Sequence, residues 1–436
     1  MHGSARLART KLKSRRALAL GVTIGLGCTL LAACGGSSGK PTLTWYINPD
    51  PTTDPNMGQS LLAQQCSTNQ YSIKVQELPT DATSQRQQLA YRLAAKDPSI
   101  DLMSMDPAFT AEFAAAGFLA PIPLSYQKVY GAGKLPGIVK TATYAGNLIA
   151  DPLWANTQVL WYRKSFVQKA GLDMSKPVTW SQIIKAASDN GGTVGVQANL
   201  YEGYSVWINA LVTGAGGQIV SDTAAGKDAK ITLNSQAGRD AASVISELAH
   251  SKAAEPDLSV SNEGTVLTPF ATPQGAFQVN WTFVYPNYQA DKATFKDLGW
   301  ARYPETVAGK PSRPPVGGIN LGIGNYSTHK AFAFQAAKCI TSEKSQIQYA
   351  LQTGNMPATA AAYSTAKLKT LFPTPLLTLF RQSLQGGGPR PNSAYWSAIS
   401  AAIQSKWHPP SAVNSSTPAT SATYIEQVLQ GKALLQ

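Results

Sequence analysis

The sequence predicts an α/β protein with two lobes, and three observations support this prediction. Predicted strands and helices alternate between residues 43 and 107, which is typical of a doubly wound parallel sheet. About 400 residues follow the N-terminal segment, which is too many for one compact core. Residues 149–162 (IADPLWANTQVLWY) form a long, aromatic segment that fits neither a helix nor a short strand. We expect this segment to cross from one lobe to the other.

The N-terminus has the organisation of a secretory signal. Residues 1–16 carry six basic residues and no acidic one, and the apolar stretch ALALGVTIGLGCTLLAA follows. Leu31-Ala32-Ala33-Cys34 resembles a bacterial lipobox, in which Cys34 is diacylated and becomes the new N-terminus. We therefore predict a signal peptide at 1–33 and a lipid-anchored tether at 34–40, on the outer face of the cell membrane. An ordinary cleavage site and an uncleaved anchor are the alternatives.

Charge and cysteine content narrow the class of protein. The formal net charge is +13, and removing the six basic residues of 1–33 leaves +7. No basic run accompanies this excess, so nothing indicates nucleic-acid binding. Cys66 and Cys339 would lie in an oxidising compartment, where we expect them to form a disulfide, with two buried free thiols as the alternative. No cysteine or histidine spacing resembles a metal site, and we expect neither a metal nor another cofactor.

The predicted strands of the first lobe bring polar residues to one edge of the sheet. Strands and helices alternate in the order Leu43–Ile47, 56–67, Tyr71–Gln76, 81–96 and Ile100–Met105. Asp106 follows the third strand directly, and Pro107 begins the next helix. Ligands of such sheets bind beyond the carboxyl ends of the strands, where Asp106 lies, although this aspartate could equally be only a helix N-cap.

Beyond residue 163 the pattern continues with helices and strands in alternation. Helices are predicted at 180–188, 202–213, 235–250 and from 263, and strands at 193–198, Phe277–Trp281 and Gly317–Ile323. The chain from His329 onward is mostly helical in pattern.

No catalytic signature is present in the sequence. Gly203-Tyr204-Ser205-Val206-Trp207 lacks the second glycine of a nucleophile elbow, whereas the numerous carboxylates leave a two-acid glycosidase open. Polar residues instead recur beside aromatic ones at element ends, as with Asn156 near Trp154 and Asn280 beside Trp281. A sugar has this double character, because its hydroxyls form hydrogen bonds while its C–H faces stack on aromatic rings.

Seven segments together resemble the extracellular sugar-binding proteins of ABC importers, in the maltose/trehalose-type group. The segments are SQRQQLAYRL (84–93), DLMSMDPAFTAEFAAAG (101–117), NTQVLWYR (156–163), QANLYEGYSVWINALVTGAGG (197–217), NEGT (262–265), VNWTFV (279–284) and VGGINLGI (316–323). They occur in family order, and the trehalose-binding lipoproteins of actinobacteria are the most similar group. The resemblance implies a periplasmic-binding-protein-like fold, in which two lobes joined by crossing hinge segments close on a sugar in the cleft between them.

The resemblance also implies a set of ligand-binding residues and a division into lobes. The residues are Arg86, Asp106, Asn156, Glu202, Glu263, Trp281, Gly317, Gly318 and Arg390. Trp281 would stack on a pyranose ring, the charged and amide side chains would hold hydroxyls, and the glycines would offer backbone N–H groups at close range. The first lobe would comprise 41–152 and 285–340, and the second 153–284 and 341–436.

Three functional hypotheses follow. The first, which we favour, is a monomeric, non-enzymatic, membrane-anchored receptor that binds a neutral disaccharide, trehalose or a related sugar, and delivers it to the permease subunits of an ABC importer. The second is a secreted carboxylate-dependent glycosidase, and the third is a structural surface lipoprotein without a small ligand.

Overall fold

The structure, a computed structural model, describes residues 39–51 and 53–435. The predicted signal peptide and Cys34 lie outside these residues. The strands are β1 (Thr42–Ile47), β2 (Ser72–Glu77), β3 (Leu102–Met105), β4 (Thr143–Tyr144), β5 (Asn147–Leu148), β6 (Asp151–Arg163), β7 (Thr193–Gly195), β8 (Val220–Ser221), β9 (Lys230–Ile231), β10 (Gly275–Trp281), β11 (Leu298–Ala301), β12 (Pro315–Ile323), β13 (Met356–Pro357) and β14 (Gly388–Pro389).

The α-helices occur between and after these strands. They are α1 (Gly58–Cys66), α2 (Ala82–Ala94), α3 (Pro107–Ala115), α4 (Leu124–Gln127), α5 (Pro136–Thr141), α6 (Lys164–Ala170), α7 (Trp180–Asn190), α8 (Glu202–Gly214), α9 (Gln236–His250), α10 (Leu267–Phe270), α11 (Val284–Asn287), α12 (Lys292–Asp297), α13 (Lys330–Ile340), α14 (Glu343–Thr353), α15 (Ala366–Lys369), α16 (Thr374–Gly386), α17 (Trp396–Trp407) and α18 (Thr417–Leu429). Within the described ranges, none of them combines the length and the apolar character that crossing a bilayer requires.

The main sheet has the strand order β2-β1-β3-β12-β6-β10-β7. β1 pairs in parallel with β2 and β3, as the alternating pattern predicts. β12 is antiparallel to both β3 and β6, and β10 is antiparallel to β6. The sheet is therefore mixed: the predicted parallel arrangement holds from β2 to β3 and returns between β10 and β7, but it is wrong where β12 pairs with β3 and β6 and where β10 pairs with β6. The reason is that β12 and β10 run back alongside β6, and antiparallel neighbours need no crossover helix between them.

Strand β6 is one of the segments that link the two lobes. Its 13 residues extend over about 43 Å at the rise of a β-strand. The first half, up to Thr157, pairs with β12, and the second half, from Gln158, pairs with β10 and β11. The crossing segment predicted at 149–162 is thus one continuous strand that belongs to both halves of the sheet.

The two faces of the first-lobe sheet are both covered, which explains why β3 and all of β1 except its first residue are buried, whereas the edge strand β2 is partly exposed. Leu43, Trp45 and Ile47 of β1 pack in a core that includes residues of α1 and α13. Tyr46, between them, faces the opposite core, which contains Leu89 and Leu93 of α2. A disulfide between Cys66 of α1 and Cys339 of α13 joins the helices of the first core and confirms the predicted pairing.

The core of the second lobe forms around helices α7, α8, α9, α17 and α18. Their buried aromatic residues include Trp180, Trp207 and Trp396, which pack in one cluster with Phe277 of β10. Segments on both sides of the predicted lobe boundaries contribute to each core. Trp154 and Tyr349, for example, both fall in the predicted second lobe, yet they stack on each other, with ring centroids 4.7 Å apart, in the core around α1 and α13. The boundaries themselves stay a prediction.

Candidate ligand-binding site

Asp106 lies at the carboxyl end of β3, at the edge where ligands of such sheets bind. Its Oδ1 accepts a hydrogen bond of 2.8 Å from the backbone N–H of Ala108, so the residue caps α3, and Pro107 occupies the first helical position. The same Oδ1 also accepts a hydrogen bond of 2.7 Å from Nη2 of Arg390. Asp106 therefore caps α3 and also binds Arg390, which is distant in the sequence.

Arg390 connects Asp106 with Glu202, the first residue of α8. Its Nη1 donates to Oε1 of Glu202 at 2.7 Å, and its side chain is only 4 % exposed. Strand β14, immediately before Arg390, pairs with β12, and this pairing brings the loop between the lobes. Glu202 additionally accepts hydrogen bonds from Trp396 Nε1 and from the Ser400 hydroxyl. We call Asp106, Arg390 and Glu202 the ionic bridge.

Burial and charge act in opposite directions within the ionic bridge. Burial raises the pKa of Glu202, the positive charge of Arg390 opposes this shift, and the negative charge of Asp106 adds to it. Burial alone would lower the pKa of Arg390, but the charges of Asp106 and Glu202 raise it above its ordinary value. The guanidinium is therefore held as a cation between the two carboxyl groups.

A second group of predicted ligand residues surrounds Glu263. The Tyr201 hydroxyl donates a hydrogen bond of 2.7 Å to Oε2 of Glu263, and the Trp281 side chain lies close enough to this carboxyl group to lower its pKa. Burial raises the pKa of Glu263, these two side chains oppose the shift, and the charge of Asp106 adds to it. The charge of Asp106 acts on both Glu202 and Glu263, so Asp106 lies near both carboxyl groups. Asp106 comes from the first-lobe sheet, whereas Glu202 and Glu263 come from second-lobe segments.

The two predicted glycines permit close approaches that a side chain would block. A Cβ on Gly317 would lie 3.0 Å from Cη2 of Trp281, so glycine lets the indole edge lie against β12. Gly318 has a φ of +121°, and a Cβ there would lie 2.1 Å from the carbonyl oxygen of Trp154. In this structure Gly318 therefore serves the pairing of β12 with β6.

Asn156 and Arg86 have partners of their own. Asn156 is buried in β6, where its Oδ1 accepts from the Thr282 hydroxyl at 2.7 Å and its Nδ2 donates to Asn355 Oδ1 at 3.0 Å. Arg86 of α2 forms a two-point ion pair with Glu112 of α3, with Nε donating to Oε2 at 2.8 Å. Asn156 pairs in register with Gly317, close to Trp281. Within the described part of the chain, the hydrogen bonds and the ion pair of Arg86 go to Glu112 and not to the other predicted residues.

Sequence reasoning missed two further candidates. Tyr201 stands next to Glu202 in the sequence, and only its bond to Glu263 shows that it belongs to the site. Asn48 directly follows β1, at the same sheet edge as Asp106, and its Oδ1 is buried without a hydrogen-bond partner among the described residues. Its position after a parallel strand was a signal that could have identified it.

The arrangement provides hydrogen-bond donors, acceptors and an aromatic ring. Across the part of the chain that the structure describes, no group of three or more potential ligand residues could hold a metal ion. A neutral, hydroxyl-rich molecule suits such surroundings, because hydroxyls both donate and accept.

The fold and this site define a two-lobed binding protein. Residues 61–347 match the family model of bacterial extracellular solute-binding proteins, and the chain belongs to this family. A curated relative from Deinococcus radiodurans, named as a probable ABC transporter-binding protein, is 25 % identical over 311 residues, which cover 67 % of this chain and 70 % of the relative.

Solved structures show the same fold. Maltose-bound MalE3 of T. maritima superposes with a TM-score of 0.77 at 22 % identity, over 90 % of this chain and 100 % of that one. An ABC transporter solute-binding protein of Thermotoga lettingae, bound with α-D-tagatose, superposes with a TM-score of 0.75 at 20 % identity, over 89 % and 100 % of the two chains. The prediction of a periplasmic-binding-protein-like fold is confirmed.

Family membership also decides between two of the hypotheses. The relatives are solute-binding proteins of ABC transporters, so the protein is not an enzyme, and the glycosidase alternative is wrong. The protein works outside the cytoplasm, as extracellular solute-binding proteins do.

Proposed function

We propose that the protein is a membrane-anchored receptor that binds a neutral disaccharide, trehalose or a related sugar, and delivers it to the permease of an ABC importer. One observation carries this proposal: the Trp281 ring, the Glu263–Tyr201 pair and Asp106 converge from both lobes. Such a site offers stacking for a pyranose face and hydrogen bonds for its hydroxyls, and lobe closure would bury the sugar. The sugars in the MalE3 and Thermotoga lettingae structures support the class of ligand.

Within this proposal the predicted residues have different roles. Trp281, Glu263 and Tyr201 contact the sugar. Arg390 holds Asp106 and Glu202 in place through the ionic bridge, because its guanidinium already donates to both carboxylates. Cys34 carries the lipid anchor, and the mass of the N-terminal peptide of the mature protein tests this assignment.

The test is calorimetric titration of the mature protein with trehalose, maltose and other saccharides. Saturable heat with chemically unchanged sugar is expected, and silence across the panel would favour a structural lipoprotein. Trp281→Ala should weaken binding by about 100-fold or more, because an entire stacking face is lost, while the melting temperature stays nearly unchanged.

A second tryptophan provides the matched control. Trp300 of β11 is also half-buried and packs against Tyr285. Trp300→Ala should retain the affinity of the wild-type protein. Unchanged sugar affinity in Trp281→Ala would remove the proposed stacking face.

A further inference from the structure

A cavity of 1210 Å³ lies beside the proposed sugar site. Its first-lobe wall comes from the start of α3, from α5 and from the β4–β5 hairpin, and its second-lobe wall comes from the end of α8 and the segment around β8. The volume exceeds the range of about 300–1,000 Å³ typical of small-molecule sites. The cavity is therefore large enough for a small molecule, and it lies at the junction of two lobes, where such sites often occur.

Arg390 of the ionic bridge belongs both to the lining of this cavity and to the proposed sugar site. Pro107, Ala108 and Arg390 line the cavity. The guanidinium of Arg390 is directed at Asp106 and Glu202, which belong to the sugar site. The two compartments therefore share one wall, and neither Trp281 nor Glu263 lines the cavity.

The charges of the two compartments are opposite. Lys140, Lys310 and Arg313 line the cavity together with a single acidic residue, Asp222. Among the described residues, no carboxylate forms an ion pair with these three cations. The Lys310 ammonium donates a hydrogen bond of 2.9 Å to the neutral carbonyl oxygen of Ala215. The sugar site, in contrast, contains the carboxyl groups of Asp106, Glu202 and Glu263 and only Arg390 as a counter-charge.

We propose that this cavity, which we call the cationic cavity, is a second ligand site that takes a small molecule with an anionic group, such as a phosphorylated or carboxylated sugar. Lysine and arginine side chains form strong, charge-assisted hydrogen bonds with phosphate and carboxylate oxygens. All three cations are exposed, so their attraction for an anion acts through water and weakens with salt. Asn209, Thr143 and Tyr144, which also line the cavity, can serve the uncharged part of the ligand.

The test is calorimetric titration of the mature protein with glucose 6-phosphate, glucuronate and inorganic phosphate, with glucose as the neutral comparison. At low ionic strength the anions should bind at one site per chain, and salt should weaken the binding. The double variant Lys140→Gln, Arg313→Gln should weaken anion binding about tenfold or more, since two charge-assisted contacts are lost. Arg313 and Lys140 are exposed, so we expect the variant to fold.

The matched control is the double variant Lys227→Gln, Lys230→Gln. Both lysines are exposed near β9 and neither lines the cavity, so anion binding should stay at the wild-type level. If the two double variants lost anion affinity equally, the loss would come from the overall surface charge and not from the cavity, and the proposal would be overturned. It would equally be overturned if none of the anions bound, or if glucose bound as tightly as glucose 6-phosphate. If inorganic phosphate binds as tightly as glucose 6-phosphate, the proposal of an anion site is supported, and the anionic group alone is what the site recognises.

The inference can fail independently of the proposed sugar receptor. Trp281→Ala should weaken disaccharide binding by about 100-fold or more and leave anion binding intact. The Lys140→Gln, Arg313→Gln double variant should weaken anion binding and leave disaccharide binding intact. Each result therefore reports on one compartment only.

Discussion

At the scale of single residues, two buried glutamates, Glu202 and Glu255, and the half-buried Glu263 differ because their partners differ. Glu202 faces Arg390, and Glu263 accepts a hydrogen bond from Tyr201. Both carboxylate oxygens of Glu255, in contrast, are buried without a hydrogen-bond partner among the described residues. Burial, and secondarily the charge of a nearby aspartate, raises the pKa of Glu255 to about 8. Glu255 is therefore the buried acid whose charge is least compensated.

This raised pKa makes the stability of the protein depend on pH. The pKa of Glu255 is higher in the folded than in the unfolded chain, so its protonated form favours folding. Its contribution is fully present below the unfolded value of about 4.5 and is lost as the pH rises through about 8. Glu255→Gln, which is neutral at every pH, should raise the free energy of unfolding at pH 9 by several kcal/mol relative to wild type and leave it little changed near pH 4.

Denaturant unfolding at pH 4, 7 and 9 measures this effect. Glu426→Gln is the control, because Glu426 is an exposed carboxylate on α18, and it should follow the pH dependence of the wild type. A wild-type stability that does not fall between pH 7 and 9 would contradict the assigned environment of Glu255.

At the scale of elements, the pairing of β12 with β6 depends on one glycine, Gly318. The φ of Gly318 favours glycine, and its missing Cβ leaves room for the carbonyl oxygen of Trp154. Gly318→Ala should lower the free energy of unfolding by about 3 kcal/mol or more, through backbone strain and steric overlap together. Gly386→Ala, at the end of α16 with no heavy atom within 4 Å of the added Cβ, should be neutral or slightly stabilising. Equal stability of the two variants in denaturant unfolding would contradict this account.

Helices with a clear cap and a helical repeat of apolar residues could be predicted from the sequence. The start of a helix could not be predicted where a side chain forms a turn with the backbone just before it. Helix α2 was predicted at 81–96 and spans Ala82–Ala94, because Asp81 caps it and the apolar residues repeat at helical spacing. The helix expected from Glu263 is instead the short α10, Leu267–Phe270. The Asn262 side chain accepts hydrogen bonds from the N–H groups of Gly264 and Thr265, and this turn delays the helix.

At the scale of the whole molecule, the list of candidate site residues was easier to predict than their mutual contacts. Polar residues at strand ends identified Asp106, and the family resemblance supplied Glu202 and Arg390. The hydrogen bonds that Arg390 makes to these two carboxylates span 284 and 188 positions along the chain. No local periodicity reports such contacts, because they depend on how β14 pairs with β12 and how α8 begins. The ionic bridge therefore became visible only in the folded structure.

The disulfide is the long-range contact that the sequence did predict, because only two cysteines follow the predicted anchor. Cys66 and Cys339 are 273 positions apart, and their bond closes most of the chain into one loop. In the chain-entropy description, closing so long a loop stabilises the folded protein by about 5–6 kcal/mol, and measured values are often smaller.

Replacing both cysteines, Cys66→Ala with Cys339→Ala, should therefore lower the free energy of unfolding by about 2–5 kcal/mol. Disaccharide affinity should stay unchanged below the melting temperature, because the bond joins α1 to α13 and touches no proposed ligand residue. Reductant supplies the internal control, since it should destabilise the wild type to about the level of the double variant and leave the double variant unaffected. The prediction would be contradicted if the double variant unfolded at the same denaturant concentration as the oxidised wild type. The disulfide would then not stabilise the protein by restricting the unfolded chain, and the first-lobe core alone would hold α1 against α13.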